Sequence, residues 1–108
     1  MVAIRWAFRE RHFVLRAHGH VEMLVEGLST PDICRSGADC DLLEEYPDRP
    51  EGHTKLLLGY VRPGRPIHVV VNVALFEANW AEPLAVVTVY EPEGPEWLDE
   101  RTRKRKIR

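Results

Sequence analysis

The spacing of apolar positions divides the chain into a helical first third and a strand-rich remainder. HFVLRA (12–17) reads as a short strand leading into HGHVEMLVEGL. There Val21, Leu24, Val25 and Leu28 recur at i, i+3, i+4 and i+7, the stripe of an amphipathic helix that Gly27 is placed to stop. In STPDICRSG, Thr30 suits an N-cap, Pro31 the first helical position and Gly37 the exit, which predicts a second, short helix. DLLEEY (41–46), KLLLGYV (55–61), PIHVVVNVA (66–74) and LAVVTVY (84–90) are strand-like, with turn residues between them. Arg62-Pro63-Gly64-Arg65 has the composition of a type II turn, so residues 55–74 are expected to form a hairpin. Residues 75–83 read as a longer connection.

A strand has a period of two, and the two long apolar strands are two-faced under it. In 66–74, Ile67, Val69, Val71 and Val73 form a plain apolar face that needs a core, while His68, Val70, Asn72 and Ala74 form a mixed one. In 84–90, Ala85, Val87 and Val89 form the apolar face, and Leu84, Val86, Thr88 and Tyr90 the face carrying two hydroxyls. Helices followed by a run of strands argue for α+β, with the N-terminal helices packed on one face of an antiparallel sheet of about four strands. The strand 66–74 belongs at or next to its centre. The mixed face is then left open, with His68, Asn72, Thr88 and Tyr90 gathered on it.

Composition narrows the class. A chain of 108 residues, 44% hydrophobic and 30% charged, is expected to build one domain over residues 1–100. No apolar run approaches the roughly 20 residues of a membrane helix, and arginines interrupt MVAIRWAFRERHF where a secretory signal would be continuous. A cytoplasmic protein with Cys34 and Cys40 as reduced thiols is expected. The net charge of −2 conceals an asymmetry. RTRKRKIR (101–108) holds six of the fifteen basic residues and no acid, leaving nine bases against seventeen acids before it. The tail reads as flexible, either merely solvated or a contact for phosphates or an acidic surface, through residues such as Lys104 and Arg105. His18, His20, His53, Cys34 and Cys40 do not fall in paired zinc-ligand spacing, so neither metal nor cofactor is expected.

In combination, LLEEYPDRP, LLLGYVRPGRPIHVVV and VVTVYEPEGPEW resemble a family of short bacterial domains, domain of unknown function 4258. The likeness covers roughly residues 13–97, with HGHVEMLVEGLSTPDI standing where the family has a helix. It implies a fold like that of RelE and MqsR, the toxins of toxin–antitoxin systems that cleave mRNA. A cognate antitoxin, commonly one with a CxxC zinc module and a DNA-binding helix-turn-helix, is the implied partner. By position the family histidines fall on His18 and His68, its tyrosines on Tyr46 and Tyr90, and its turn arginine on Arg65. One departure is Glu22, an acid where the family tends to place an arginine.

Metal-independent RNA cleavage needs a base for the 2′-hydroxyl, an acid for the departing 5′-oxygen, and cations on the phosphorane. The residues assigned to this chemistry are His18 and His68 as acid and base, with Arg65 and Tyr90. Arg16, Tyr46, Asn72, Lys104 and Arg105 are the RNA contacts. On an open face His68→Ala is expected to cost little stability. Each assignment has a plainer alternative. His68 would only hydrogen-bond at a strand end, His18 would pair with Glu22, the tyrosines would pack, and Trp97 would pin the C-terminal segment. On that view the chain is a non-catalytic interaction module that binds a protein partner.

Overall fold

The computed structural model describes residues 1–92 and 99–101. The elements are α1 (Val2–Arg9), β1 (Phe13–Leu15), α2 (Ala17–Val25), α3 (Thr30–Ala38), β2 (Asp41–Tyr46), β3 (Thr54–Arg62), β4 (Arg65–Asn72), α4 (Ala74–Ala78) and β5 (Leu84–Tyr90). The strands form one open sheet in the order β1-β5-β4-β3-β2, so β4 is central. All neighbouring pairs are antiparallel except β1 with β5, which is parallel. The mixed α+β class and the central place of β4 are as expected. The sheet differs in having a fifth strand, at a parallel edge.

The expected face of β4 makes the core. Ile67, Val69, Val71 and Val73 are buried in one cluster with Ile4 and Phe8 of α1, Met23 of α2, Ile33 of α3 and Phe76 of α4. The helices therefore contribute to the core on one side of the sheet. Gly64 turns the β3–β4 hairpin at φ 82°, the positive value its position demands.

Four local readings are corrected. First, α1 was not expected. Its stripe of Ile4, Ala7 and Phe8 at i, i+3 and i+4 is present in the sequence, interrupted by Arg5 and Arg9. Second, Val21, Leu24 and Val25 of α2 are 54%, 62% and 71% exposed, not buried. The helix packs instead through Gly19 and Met23, one turn apart. A Cβ on Gly19 would meet the carbonyl oxygens of Val86 and Val87 at 3.0 Å, so the α2 backbone lies directly against β5. Leu28 is buried from outside the helix. Gly27 (φ 68°) ends α2 as anticipated, and the Leu28 and Gly27 N–H groups donate to the Met23 and Leu24 carbonyls in a Schellman motif.

Third, the cap of α3 is Ser29 rather than Thr30. The Ser29 hydroxyl accepts from the Asp32 N–H at 3.2 Å, and the Asp32 carboxylate accepts from the Ser29 N–H at 2.9 Å. Gly37 does not end this helix but lies buried inside it. Fourth, the faces of β5 are not the simple alternation read from its sequence. A register shift between Val70 and Val71 sets Val71 opposite Val86 and Val70 opposite Thr88. This bulge puts Leu84, Val86 and Val89 together in the core, and it leaves Val87, Thr88 and Tyr90 on the opposite side.

Candidate functional site

The helix-free side of the sheet follows from the register. Going across it, Tyr46 stands opposite Thr54, Leu56 opposite Val70, Val70 opposite Thr88, and His68 opposite Tyr90. A groove of about 270 Å³ runs over these strands, lined by Tyr46, Arg49, Thr54, Leu56, Val70, Val87, Thr88 and Tyr90. One rim is the loop after β2, where the Arg49 guanidinium lies 4.2 Å from the centre of the Tyr46 ring. The Tyr46 hydroxyl donates to Glu44. A more open hollow of about 520 Å³ is formed by loop residues 45–51 alone. Among the described residues it is lined by consecutive ones alone.

Asn72 supports that loop rather than lining the groove. It is buried, its amide donates to the Glu51 carbonyl at 2.7 Å, and its side-chain oxygen accepts from the Ala74 N–H at 3.0 Å. One side chain thus ties the Arg49 loop to the start of α4. The polar group in the middle of an apolar strand is explained by these backbone partners.

His68 lies on the helix-free side, as the strand period requires, but it is not open. It is 0% exposed. Its ring meets the Tyr90 ring edge-on, with Nδ1 3.2 Å from the Tyr90 hydroxyl and Nε2 2.6 Å from the Glu100 carbonyl. A carbonyl only accepts, so Nε2 carries the proton. In the neutral ring Nδ1 is then the acceptor and the Tyr90 hydroxyl donates to it. Residues 99–101 contribute to the cover over His68 through the Glu100 carbonyl. The Glu100 carboxylate also accepts from the Tyr60 hydroxyl at 3.2 Å, and the Arg101 guanidinium donates to Asp41 at 2.9 Å. The Tyr60 phenol is held above its ordinary value, first by desolvation and then by the Glu100 carboxylate.

The other assigned residues are dispersed. Arg65 shares the helix side of β4 with Ile67. It donates to the Glu91 carboxylate at 3.0 Å and to the Glu26 carbonyl at the end of α2 at 2.9 Å, tying that helix to the end of β5. His18 and Arg16 are exposed at the start of α2, where the Arg16 N–H donates to the Val86 carbonyl. None of these three lines the groove, which holds Tyr46 and Tyr90 of the assigned set. Lys104, Arg105 and Trp97 lie outside the described residues. Among the described residues, Arg49, which the sequence reading passed over, is the cation that lines the groove. Its signal was the neighbouring YPDRP, a turn placed directly after a strand carrying an aromatic residue.

Among the described residues no group of three or more His, Cys, Asp or Glu side chains could hold a metal ion. No helix among them is long and apolar enough to cross a membrane. Both cysteines are free thiols, and burial pushes the Cys40 thiol up to about 11.

A family model described as a domain of unknown function (DUF4258) matches residues 15–91. The chain belongs to the DUF4258 family. Comparisons with curated proteins and with solved structures found no match. The DUF4258 segment runs from the end of β1 to just past β5, so it contains every residue lining the groove. It leaves out α1 and residues 99–101.

Proposed function

We propose that this DUF4258 protein acts on single-stranded RNA through the groove on the bare face of its sheet, as a toxin-type endoribonuclease. Tyr90 is the group that meets the ribose, and His68 is the proton acceptor behind it. The observation that carries this reading is the Tyr90–His68 pair: a phenol at the groove wall whose proton already points at an imidazole nitrogen. As the 2′-oxygen attacks the adjacent phosphorus, its proton passes to the Tyr90 oxygen while the Tyr90 proton passes to Nδ1 of His68. The P–O5′ bond breaks, the 5′-oxygen takes up a proton from solvent, and the products are a 2′,3′-cyclic phosphate and a 5′-hydroxyl. Tyr46 offers a stacking face and Arg49 a cation for phosphate, the pairing that single-stranded RNA requires. Helices packed on one side of a largely antiparallel sheet, with the site on the other, support the comparison with RelE-like toxins. A cognate antitoxin is the partner this reading implies.

The test is incubation of the purified protein with a labelled RNA and with DNA of the same sequence. Cleavage of RNA alone, leaving cyclic-phosphate ends, and its loss in Tyr90→Phe are the expected results. Intact RNA under every condition would overturn the proposal. The second reading, a non-catalytic module that binds a protein, is favoured by a different observation. Val21, Leu24 and Val25 expose a continuous apolar stripe on α2. Replacing Leu24 by Glu would abolish partner binding on that reading and leave RNA cleavage intact on the first.

A further inference from the structure

We infer that Trp6 and Trp80, with Arg9 and Arg11, form a second surface for single-stranded nucleic acid, separate from the groove and indifferent to base sequence. The inference does not rest on cleavage by the groove.

The surface lies where α1 meets the connection between α4 and β5. Trp6 and Arg9, three residues apart on α1, are both exposed. The Trp6 ring centre is 6.4 Å from that of Trp80, and Trp80 lies nearly parallel to the buried Phe76 ring, at 6.1 Å and 18°. Phe76 thus backs one side of the Trp80 indole, while the ring as a whole is 61% exposed. His12 holds the arrangement. Its Nε2–H is shared between the Trp80 and Glu82 carbonyls, at 2.8 and 3.1 Å, and its own carbonyl accepts from the Leu84 N–H at 3.0 Å. Indoles fixed in this way need little ordering when a ligand arrives.

The charge beside them selects the ligand. Residues 1–16 carry four arginines against one glutamate, whereas residues 17–100 carry five bases against sixteen acids. Arg5 is engaged, donating to the Cys40 carbonyl at 2.8 Å and lying 3.7 Å from Asp41. Arg9 and Arg11 are exposed and make no ion pair among the described residues. Of the acids on α4, Glu77 is drawn towards Lys55, 3.5 Å away. Arg11 adds an independent observation. It follows α1 at φ 56°, with the His12 and Arg11 N–H groups donating to the Ala7 and Phe8 carbonyls, in the kind of helix-ending turn that favours glycine. An arginine keeps this place against the preference of its backbone, which a function for its side chain explains. Stacking rings beside unpaired cations are the two elements of sequence-tolerant single-strand binding.

The experiment uses the full chain and an oligothymidylate of about twelve nucleotides, within the span of a single-strand site. This probe lacks the 2′-hydroxyl, so binding is read without cleavage. Fluorescence anisotropy gives the affinity, and quenching of tryptophan emission reports stacking. Trp80→Leu keeps an apolar cover on Phe76 and removes the stacking face. Its affinity should fall about tenfold, with less quenching on binding. Arg9→Gln should reduce the slope of log affinity against log salt by about 0.7. Arg11→Gly should weaken binding while raising the urea midpoint of the free protein, whereas a residue serving only the fold would leave binding unchanged. A wild type that does not bind oligothymidylate would overturn the inference, as would equal affinity and quenching in Trp80→Leu. Binding that depends on Trp80 in a protein that leaves RNA intact would uphold this surface and overturn the cleavage reading of the groove.

Discussion

His68 has no solvent exposure, so its removal is felt by the fold before it is felt by any chemistry. His68→Ala leaves a cavity and removes a hydrogen-bond partner from the Tyr90 hydroxyl and from the Glu100 carbonyl. A loss of about 2 kcal/mol is expected in urea denaturation, contrary to the small cost expected for an open face. Tyr90→Phe is the cleaner probe. It keeps the ring edge on His68 and removes only the hydroxyl, so stability should fall by about 1 kcal/mol. RNA cleavage should fall on the order of 10²-fold or more if the phenol relays a proton. Cleavage by Tyr90→Phe at the wild-type rate would remove the relay. Gly59 is a purely structural counterpart. A Cβ there would sit 2.3 Å from the Ser36 carbonyl oxygen of α3, and neither backbone can yield easily. Gly59→Ala should cost about 3 kcal/mol, read as a lower denaturation midpoint.

Among the elements, α3 carries the most specific local signal, and its cap makes a pH prediction. The Asp32 carboxyl is held below its ordinary value, chiefly by the hydrogen bond from the Ser29 backbone N–H and further by the Ser29 and Arg35 side chains. Because the folded value is the lower one, the stabilisation is complete above the unfolded value near ~4 and is lost as pH falls through the folded value. Asp32→Ala should therefore destabilise at pH 7, and its difference from wild type should vanish in acid. A difference that persists at pH 2 would show that the carboxylate charge is not the cause. Ser29→Ala should cost about 1 kcal/mol. These elements were legible in the sequence to different degrees. β2 and β5 span the expected residues, and the core face of β4 is as read, because strict alternation with β-branched residues leaves a strand one register. The β5 bulge was hidden, since a run of valines keeps no record of where the period slips. The outward stripe of α2 was misleading because a helix can pack through a glycine, which apolar counting does not see. For the site, Tyr90 and Tyr46 were legible as groove residues. Arg65 was not separated from them, although its parity with Ile67 already sets it on the other side of the sheet.

For the whole molecule, charge is the decisive quantity. The groove offers Arg49 in a body that is acid-rich before residue 101, so on the proposed RNA-cleaving reading most of the attraction for RNA comes from the basic residues beyond Arg101. Deleting residues 102–108, with Arg101 kept, should weaken RNA binding and flatten the dependence of log affinity on log salt. An unchanged slope in fluorescence titrations would take those residues out of the binding surface. The parallel pairing of β1 with β5 has another kind of consequence, one of time. Phe13 and its partner Leu84 are far apart in sequence, whereas β3 and β4 meet across a tight turn. Closing the long loop is the slower event. The parallel edge should thus be fastened last, with β1 waiting while the β3–β4 hairpin organises the sheet. Pulse-labelled hydrogen exchange during refolding should find β3 and β4 amides protected before those of β1, and the opposite order would mean that the sheet grows from its parallel edge.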